Sequence, residues 1–309
     1  MRIPAALLTL LACCGCAAAA QHVPDAPPGP AAQPAARTPP APSGHHVLWA
    51  LRGRSNTVYL LGSVHFLQAA EQMPAAIEAA YEDAEALLME IDMDDLDPLE
   101  MQQAALELGV LPAGESLQQQ LGAQDYQKVA ARARELGLDP ATLDRFRPWL
   151  AAMTLVQLHM ASMGLEAGAG VEQRLTQRAI SDGKPIEGLE TLRQQLSMLA
   201  ALSPQQQQEF LLYSVEDSER MTREIDELLA AWRRGDTETL ANLLAAGFEE
   251  YPDLYRPLTV DRNRKWIARI EALLDDREDY LVVVGSLHLV GKDSVVELLR
   301  RRGHPLEQR

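Results

Sequence analysis

Two short apolar runs near opposite ends of the chain finish on the same pattern. Tyr59-Leu60-Leu61 leads into Gly62-Ser63-Val64-His65, and Val282-Val283-Val284 leads into Gly285-Ser286-Leu287-His288. With 19 glycines and 7 histidines in 309 residues, chance supplies roughly 0.4 Gly-x-x-His matches, so two that share a serine and each follow a strand stand out. Glycine at that place lets the chain turn out of the sheet. The histidine is then presented at the carboxyl end of its strand, where open α/β sheets bind ligands. The repeat predicts that the two strands are neighbours in one sheet, with His65 and His288 facing a shared cleft. Neutral imidazole is a common metal ligand and the usual proton shuttle near pH 7. Taken singly, either histidine reads as a loop residue that caps backbone groups; the matched pair reads as a site.

The rest of the chain fits that frame. Val47 to Arg52 and Thr57 to Leu61 read as a hairpin turning at Gly53-Arg54-Ser55-Asn56. Pro74 opens a helix carrying Ile77, Ala80, Tyr81 and Ala84, and Ala86 to Ile91 reads as a buried strand. A long helical stretch follows. Asp97-Pro98-Leu99-Glu100 has the residues of a capping box with a first-turn proline, and Ser203-Pro204-Gln205-Gln206 repeats it for a helix running to about Arg234. Pro148 opens another helix through Met163. Lys184 to Glu190 is a short strand ending in a polar loop. Thr259 to Leu274 is helical, Tyr280 to Val284 is the clearest strand in the chain, and Asp293 to Arg302 is a helix. Pro305-Leu306-Glu307-Gln308 reads as an edge strand. The expected fold class is α/β (α+β), a mixed β-sheet built from both chain ends with a large helical insertion, and no solenoid period is visible.

Composition narrows the function. The formal net charge is −16, which repels phosphate backbones and anionic head groups, so nucleic-acid binding and polybasic membrane contact are not expected. Arg2, the apolar stretch Ile3 to Ala12 and the small residues after it read as a signal peptide over residues 1–20. Leu10-Leu11-Ala12-Cys13 resembles a bacterial lipobox, although Leu11 is unusual there. Cys13-Cys14-Gly15-Cys16 is a poorer version, and plain cleavage near Ala18-Ala19-Ala20 is the alternative. Residues 21–44, rich in Ala and Pro, read as an extended spacer, and residues 45–309 as the folded domain. All three cysteines fall at positions 13, 14 and 16, so disulfides and thiolate metal sites are excluded from the domain. The expected location is the cell envelope or periplasm, with membrane contact only through an N-terminal lipid anchor.

Two histidines do not complete a catalytic metal site, which usually adds a carboxylate and keeps a position open. Glu90 sits inside the apolar run Leu87-Leu88-Met89-Glu90-Ile91, where a charge is costly without a partner; the alternatives are an edge position facing water or a salt bridge to arginine. Glu190 ends the Ile186 strand, although an acid is also favoured there by the helix beginning near Thr191. Glu187 serves instead if the register shifts by one. The acidic run Asp92 to Asp97 lacks the glycine and terminal glutamate of a calcium loop and reads as a solvated turn and helix cap. Arg262, in Asp261-Arg262-Asn263, could clamp a carboxylate or steady an oxyanion; the bland reading is an exposed helix arginine. His159 reads as packed or solvated, and His22, His45, His46 and His304 have no site context.

In this order, Gly62 to His65, Leu88-Met89-Glu90, Gly188-Leu189-Glu190-Thr191, Arg262-Asn263 and Gly285 to His288 resemble the TraB/PrgY/GumN family over residues 46 to 308. That family includes the TIKI proteins, metal-dependent proteases of the Wnt pathway. The resemblance implies a divalent metal, manganese or cobalt as in TIKI with zinc as an alternative, held by His65 and His288 with help from Glu90 or Glu190. It raises Glu90, Glu190 and Arg262 as catalytic candidates and transfers no substrate. The leading expectation is a metal-dependent hydrolase, a peptidase in the first instance, with a glutamate as general base and Arg262 steadying negative charge. The rivals are an envelope binding protein that sequesters a peptide or small ligand without turnover, and metal-free acid/base chemistry by the two histidines.

Overall fold

A computed structural model describes residues 44–249 and 252–309. The expected signal peptide and almost all of the spacer lie outside them. In chain order the elements are β1 (Leu48–Arg52), β2 (Thr57–Ser63), α1 (Ala75–Asp83), β3 (Ala86–Ile91), α2 (Pro98–Gly109), α3 (Leu117–Glu135), α4 (Pro148–Ser162), α5 (Val171–Asp182) and β4 (Ile186–Glu190). They continue as α6 (Leu192–Ala200), α7 (Pro204–Glu216), α8 (Ser218–Arg233), α9 (Thr237–Phe248), α10 (Pro252–Tyr255), a π-helical turn (Arg256–Val260) and α11 (Asp261–Leu273). The chain closes with β5 (Tyr280–Gly285), α12 (Val295–Arg301) and β6 (Leu306–Gln308).

The six strands form one sheet in the order β4-β3-β5-β2-β1-β6. β2, β5, β3 and β4 run parallel to one another, whereas β1 is antiparallel to both β2 and β6. Every residue of β3 and β5 is buried, as expected for parallel strands covered on both faces by helices. β2 and β5 are direct neighbours, with Gly62 opposite Val284 and Ser63 opposite Gly285. The expected adjacency of the two repeat strands is therefore met, as is the mixed sheet built from both ends.

Two helix expectations need correction. Asp97 does cap α2, accepting from Leu99 N–H at 2.8 Å, but Glu100 does not reach back to complete a capping box. The helix opened by Ser203 does not run to Arg234; it breaks at Asp217, whose φ of −144° leaves the helical region. Asp217 accepts from Arg220 N–H at 2.8 Å and so caps a second helix, α8. The acidic run after β3 is a turn, with Asp92 accepting from the N–H groups of Asp94 and Asp95.

His159 is packed within the helical insertion. Arg132 Nη2 donates to its Nδ1 at 2.7 Å, which leaves Nε2 as the protonated nitrogen, 3.2 Å from Thr222 Oγ1. Burial first, and then the neighbouring Arg132, pull its pKa down to about 4. The unfolded chain takes up this proton near pH 6.5 and the folded chain only near 4, so stability is full above about 6.5 and declines as the pH falls between those values. The loss is at most about 3 kcal/mol. Urea unfolding at pH 7 and pH 4.5 should show a smaller acid loss for His159→Gln than for the natural chain; equal losses would remove His159 as the cause.

Candidate active site

The parallel strands deliver their carboxyl ends to one edge of the sheet. β2 runs on through Val64 to His65, β3 carries Glu90 one residue before its end, and β4 ends on Glu190. β5 ends on Gly285 and passes directly into a single 3-10 turn, Ser286–His288. Helix α11 lays Arg262, Asn263 and Trp266 over this edge, while α5 and α6 contribute Glu172 and Gln195.

Arg262 is at the centre and is 1% exposed. Its Nη2 donates to Glu90 Oε2 at 2.6 Å and lies 2.8 Å from Glu190 Oε2, and its Nε donates to Glu190 Oε2 at 2.9 Å. Nη1 donates to His288 Nε2 at 3.0 Å and reaches Leu258 O at 3.5 Å. All the N–H donors of the guanidinium are thus engaged. Burial works against its charge, and Glu90 and Glu190 hold it in place. Trp266 stacks 4.8 Å from the guanidinium and donates to Glu190 Oε1 at 3.2 Å.

Glu90 lies on an interior strand, so the edge position facing water is excluded and the arginine salt bridge is what forms. Its Oε1 accepts from Gly285 N–H at 2.7 Å and its Oε2 also accepts from Gln195 at 3.2 Å. Burial pushes this carboxyl up, but Arg262, His288, His65 and the Gly285 N–H together outweigh it and bring the pKa to about 2. A carboxylate this acidic is a poor proton acceptor at neutral pH. Glu190 ends with both oxygens in use, on Arg262 and Trp266. Glu187 is exposed and pairs with Arg269, outside this network.

Each histidine is held through Nδ1 by a helix side chain. His288 Nδ1 is 2.6 Å from Asn263 Oδ1, and Asn263 Nδ2 donates to Asp293 O at 2.8 Å, which settles which end of the amide is oxygen. His288 Nδ1 therefore carries the proton, and Nε2 presents an electron pair to Arg262. Burial, then the nearby guanidinium, lower its pKa to about 3, so the ring is neutral at physiological pH. His65 Nδ1 is 2.8 Å from Glu172 Oε1, the oxygen that also accepts from Ser63 Oγ. A carboxylate thus holds the His65 ring through Nδ1, and an amide oxygen holds that of His288.

The glycines allow close approach. A Cβ on Gly62 would lie 2.4 Å from Val47 Cγ1 and 2.9 Å from Ser286 Cα, so the two repeat motifs touch through the missing side chain. A Cβ on Gly170 would lie 2.2 Å from His65 O, where Val171 N–H also bonds Val64 O at 3.0 Å. Gly170→Ala must displace the His65 backbone. It should lower stability by a few kcal/mol, as overpacking does, and release His65 from Glu172. Thermal melts and the chemical shifts of the His65 ring check this; a ring unchanged in its shifts would contradict it.

Sequence reasoning found His65, His288, Glu90, Glu190 and Arg262, and all five are brought together. It missed Glu172, Gln195 and Trp266 and gave Asn263 no role. Glu172 had one available signal, an acid two residues after a glycine at a helix start; the others had none.

The cluster holds three buried or nearly buried carboxylates (Glu90, Glu172, Glu190) against one guanidinium, an excess of negative charge. Glu172 Oε2 is buried with no hydrogen-bond partner. Both facts, and two imidazoles with Nδ1 tied down, fit a divalent cation in donor chemistry. Among the described residues no three such groups converge as a ready metal site, and Arg262 occupies acceptors of Glu90, Glu190 and His288. Two clefts flank Glu190. One of about 490 Å³ is lined by Leu189, Glu190, Arg193, Lys265, Trp266 and Arg269 among others, and one of about 470 Å³ by Asp92, Asp95, Asp97 and Glu100 among others.

A model of the TraB/PrgY/gumN family matches residues 47–308. The chain belongs to the TraB/PrgY/gumN family. Among curated proteins this family member is similar to the uncharacterized protein YbaP of Shigella flexneri and that of Escherichia coli (strain K12). Each is 26% identical over 263 residues, which cover 83% of this chain and 94% of the relative. An uncharacterized protein of Treponema pallidum (strain Nichols) is 27% identical over 156 residues, 50% of this chain and 46% of the relative. No solved structure matches it.

Proposed function

We propose that this protein is a metal-dependent hydrolase of the cell envelope that acts on peptides. The observation that carries the reading is Glu172 Oε2, the one oxygen of the three site carboxylates with no hydrogen-bond partner, buried beside an imidazole that the same carboxylate orients. His65 through Nε2, and His288 Nε2 and Glu90 in exchange for the Arg262 donors they now accept from, would hold the metal, which the family resemblance makes manganese or cobalt, with zinc the alternative. When bound, the metal supplies Lewis-acid polarisation of a carbonyl oxygen.

The protein's own residues do the rest. Glu172 and Asn263 orient the two rings and keep their protons on Nδ1. Glu172 Oε2 takes the proton of the attacking water and returns it to the amine nitrogen as the C–N bond breaks, a role for which Glu90, with its strongly lowered pKa, and Glu190, with both oxygens engaged, are poorly suited. Arg262, whose N–H donors are all engaged, acts by holding Glu90 and the His288 ring in place, and Glu190 and Trp266 position Arg262 from behind. The envelope location rests on the signal-like N-terminus and its lipobox-like Cys13.

A second reading is favoured by one observation. Arg262 already satisfies acceptors on Glu90, Glu190 and His288, as it would in a binding protein that never turns over. One experiment separates the two. The purified domain is subjected to elemental analysis, then assayed on a quenched-fluorescence peptide library with and without manganese, cobalt or zinc. Turnover that a chelator removes, and that His65→Ala and His288→Ala abolish, supports the hydrolase. Binding without turnover under every metal condition supports the second reading and ends the first.

A further inference from the structure

We propose that an extended peptide bearing an acidic side chain adds as a strand to the free edge of β4, setting that acid against Lys265. The proposal rests on the reading of the site as one that acts on peptides, and it adds how the peptide is held and which side chain is preferred.

β4 ends the sheet on the side of the site and pairs with β3 alone. Leu87 N–H bonds Pro185 O at 2.9 Å, so by the alternation of a parallel ladder Pro185, Glu187 and Leu189 turn their backbone groups toward β3. Ile186, Gly188 and Glu190 then turn theirs outward, and among the described residues no group bonds them. Glu187 and Gly188 are exposed. An edge of this kind recruits extended peptide through backbone hydrogen bonds, with side-chain pockets supplying selectivity. The opposite edge differs. β6 is three residues long, lies farthest from the site in the strand order, and its Gln308 amide is tied to His46 O and Gly235 O.

The strand leads to the chemistry. Its last residue, Glu190, both holds Arg262 and lines the cleft of about 490 Å³, a size that takes a side chain or small ligand. Three cations, Arg193, Lys265 and Arg269, line that cleft against one carboxylate, Glu190, in a chain whose net charge is −16. Arg193 pairs with Glu107 and Arg269 with Glu187, whereas Lys265 has no partner among the described residues. Lys265 follows Arg262 by three positions on α11, so both stand on one side of the helix. Lys265 is therefore the cation of the cleft left without a carboxylate, and it suits an aspartate or glutamate of the bound strand.

The test uses the whole protein and a fluorescein-labelled octapeptide of alternating threonine and valine with one central glutamate, read by fluorescence anisotropy. Replacing that glutamate by glutamine should weaken binding roughly fivefold, the upper range for one exposed ion pair, and Lys265→Ala should erase the difference. Peptides N-methylated on alternate residues should lose binding in one phase and keep it in the other, since only one set of N–H groups faces β4. Equal binding in both phases, a glutamate preference that survives Lys265→Ala, or no binding by the parent peptide overturns the proposal. Because the readout is binding, a peptide held in one phase but never cut leaves this proposal standing and removes the hydrolase reading. Cleavage indifferent to methylation phase does the reverse.

Discussion

Arg262→Met should destabilise the domain by about 3–5 kcal/mol, the usual consequence of leaving a buried ion pair without one partner. Arg262 is 1% exposed and Glu90 5%, so neither solvent nor another cation replaces the lost guanidinium. Methionine keeps much of the volume and removes the charge, so the loss is electrostatic rather than a packing void. At 2–4 °C per kcal/mol for a domain of this size, the melting temperature should fall by roughly 10 °C. Glu90→Gln in the same chain should restore part of it, because the double variant no longer buries an unpaired charge on β3. Calorimetry on the two single variants and the double variant decides. Strictly additive losses would mean that Glu90 and Arg262 are not coupled, against their separation of 2.6 Å.

Glu172→Gln should lower turnover by roughly 10²- to 10⁴-fold, the range for a lost general base, while leaving KM and the melting temperature close to those of the natural chain. Glutamine preserves the shape and still offers an oxygen to His65 Nδ1 and Ser63, so the fold has little reason to respond. What it removes is the negative charge and the unpartnered carboxylate oxygen Oε2. The split between kcat and KM is the informative readout, since a merely structural role would change the melting temperature and not the chemistry alone. An unchanged kcat would end the assignment of Glu172 as proton acceptor.

Much of the fold was legible because its signals are local. The runs at Thr57–Ser63, Ala86–Ile91 and Tyr280–Gly285 are short, apolar and bounded by turns, and each forms a strand where it was expected. Pro74, Pro148 and Ser203 mark helix starts through φ restriction and side-chain capping, both of which act within a few residues. The break at Asp217 was missed because aspartate is tolerated inside a helix and becomes a cap only when the next segment packs in a new direction. The exported N-terminal segment and the metal remain readings from the sequence and the family resemblance.

The five proposed site residues were visible for two different reasons. His65 and His288 share a repeated motif, and Glu90, Glu190 and Arg262 sit in fragments whose order resembles a family. What each does was not visible. Glu90 and Glu190 look interchangeable as letters, yet one takes a backbone N–H from Gly285 and the other takes Trp266. Glu172 comes from a helix 107 positions after His65 and carries no motif that links them. By itself, the sequence determined the strands, the paired histidines and the sheet edge they share, since backbone propensity and burial pattern are properties of neighbouring residues. Only the tertiary structure decided which side chain holds each imidazole, which carboxylate keeps a free oxygen, and that Arg262 is buried among them. Those are distances between residues far apart in the chain, set by helix packing over the sheet, and no local pattern encodes them.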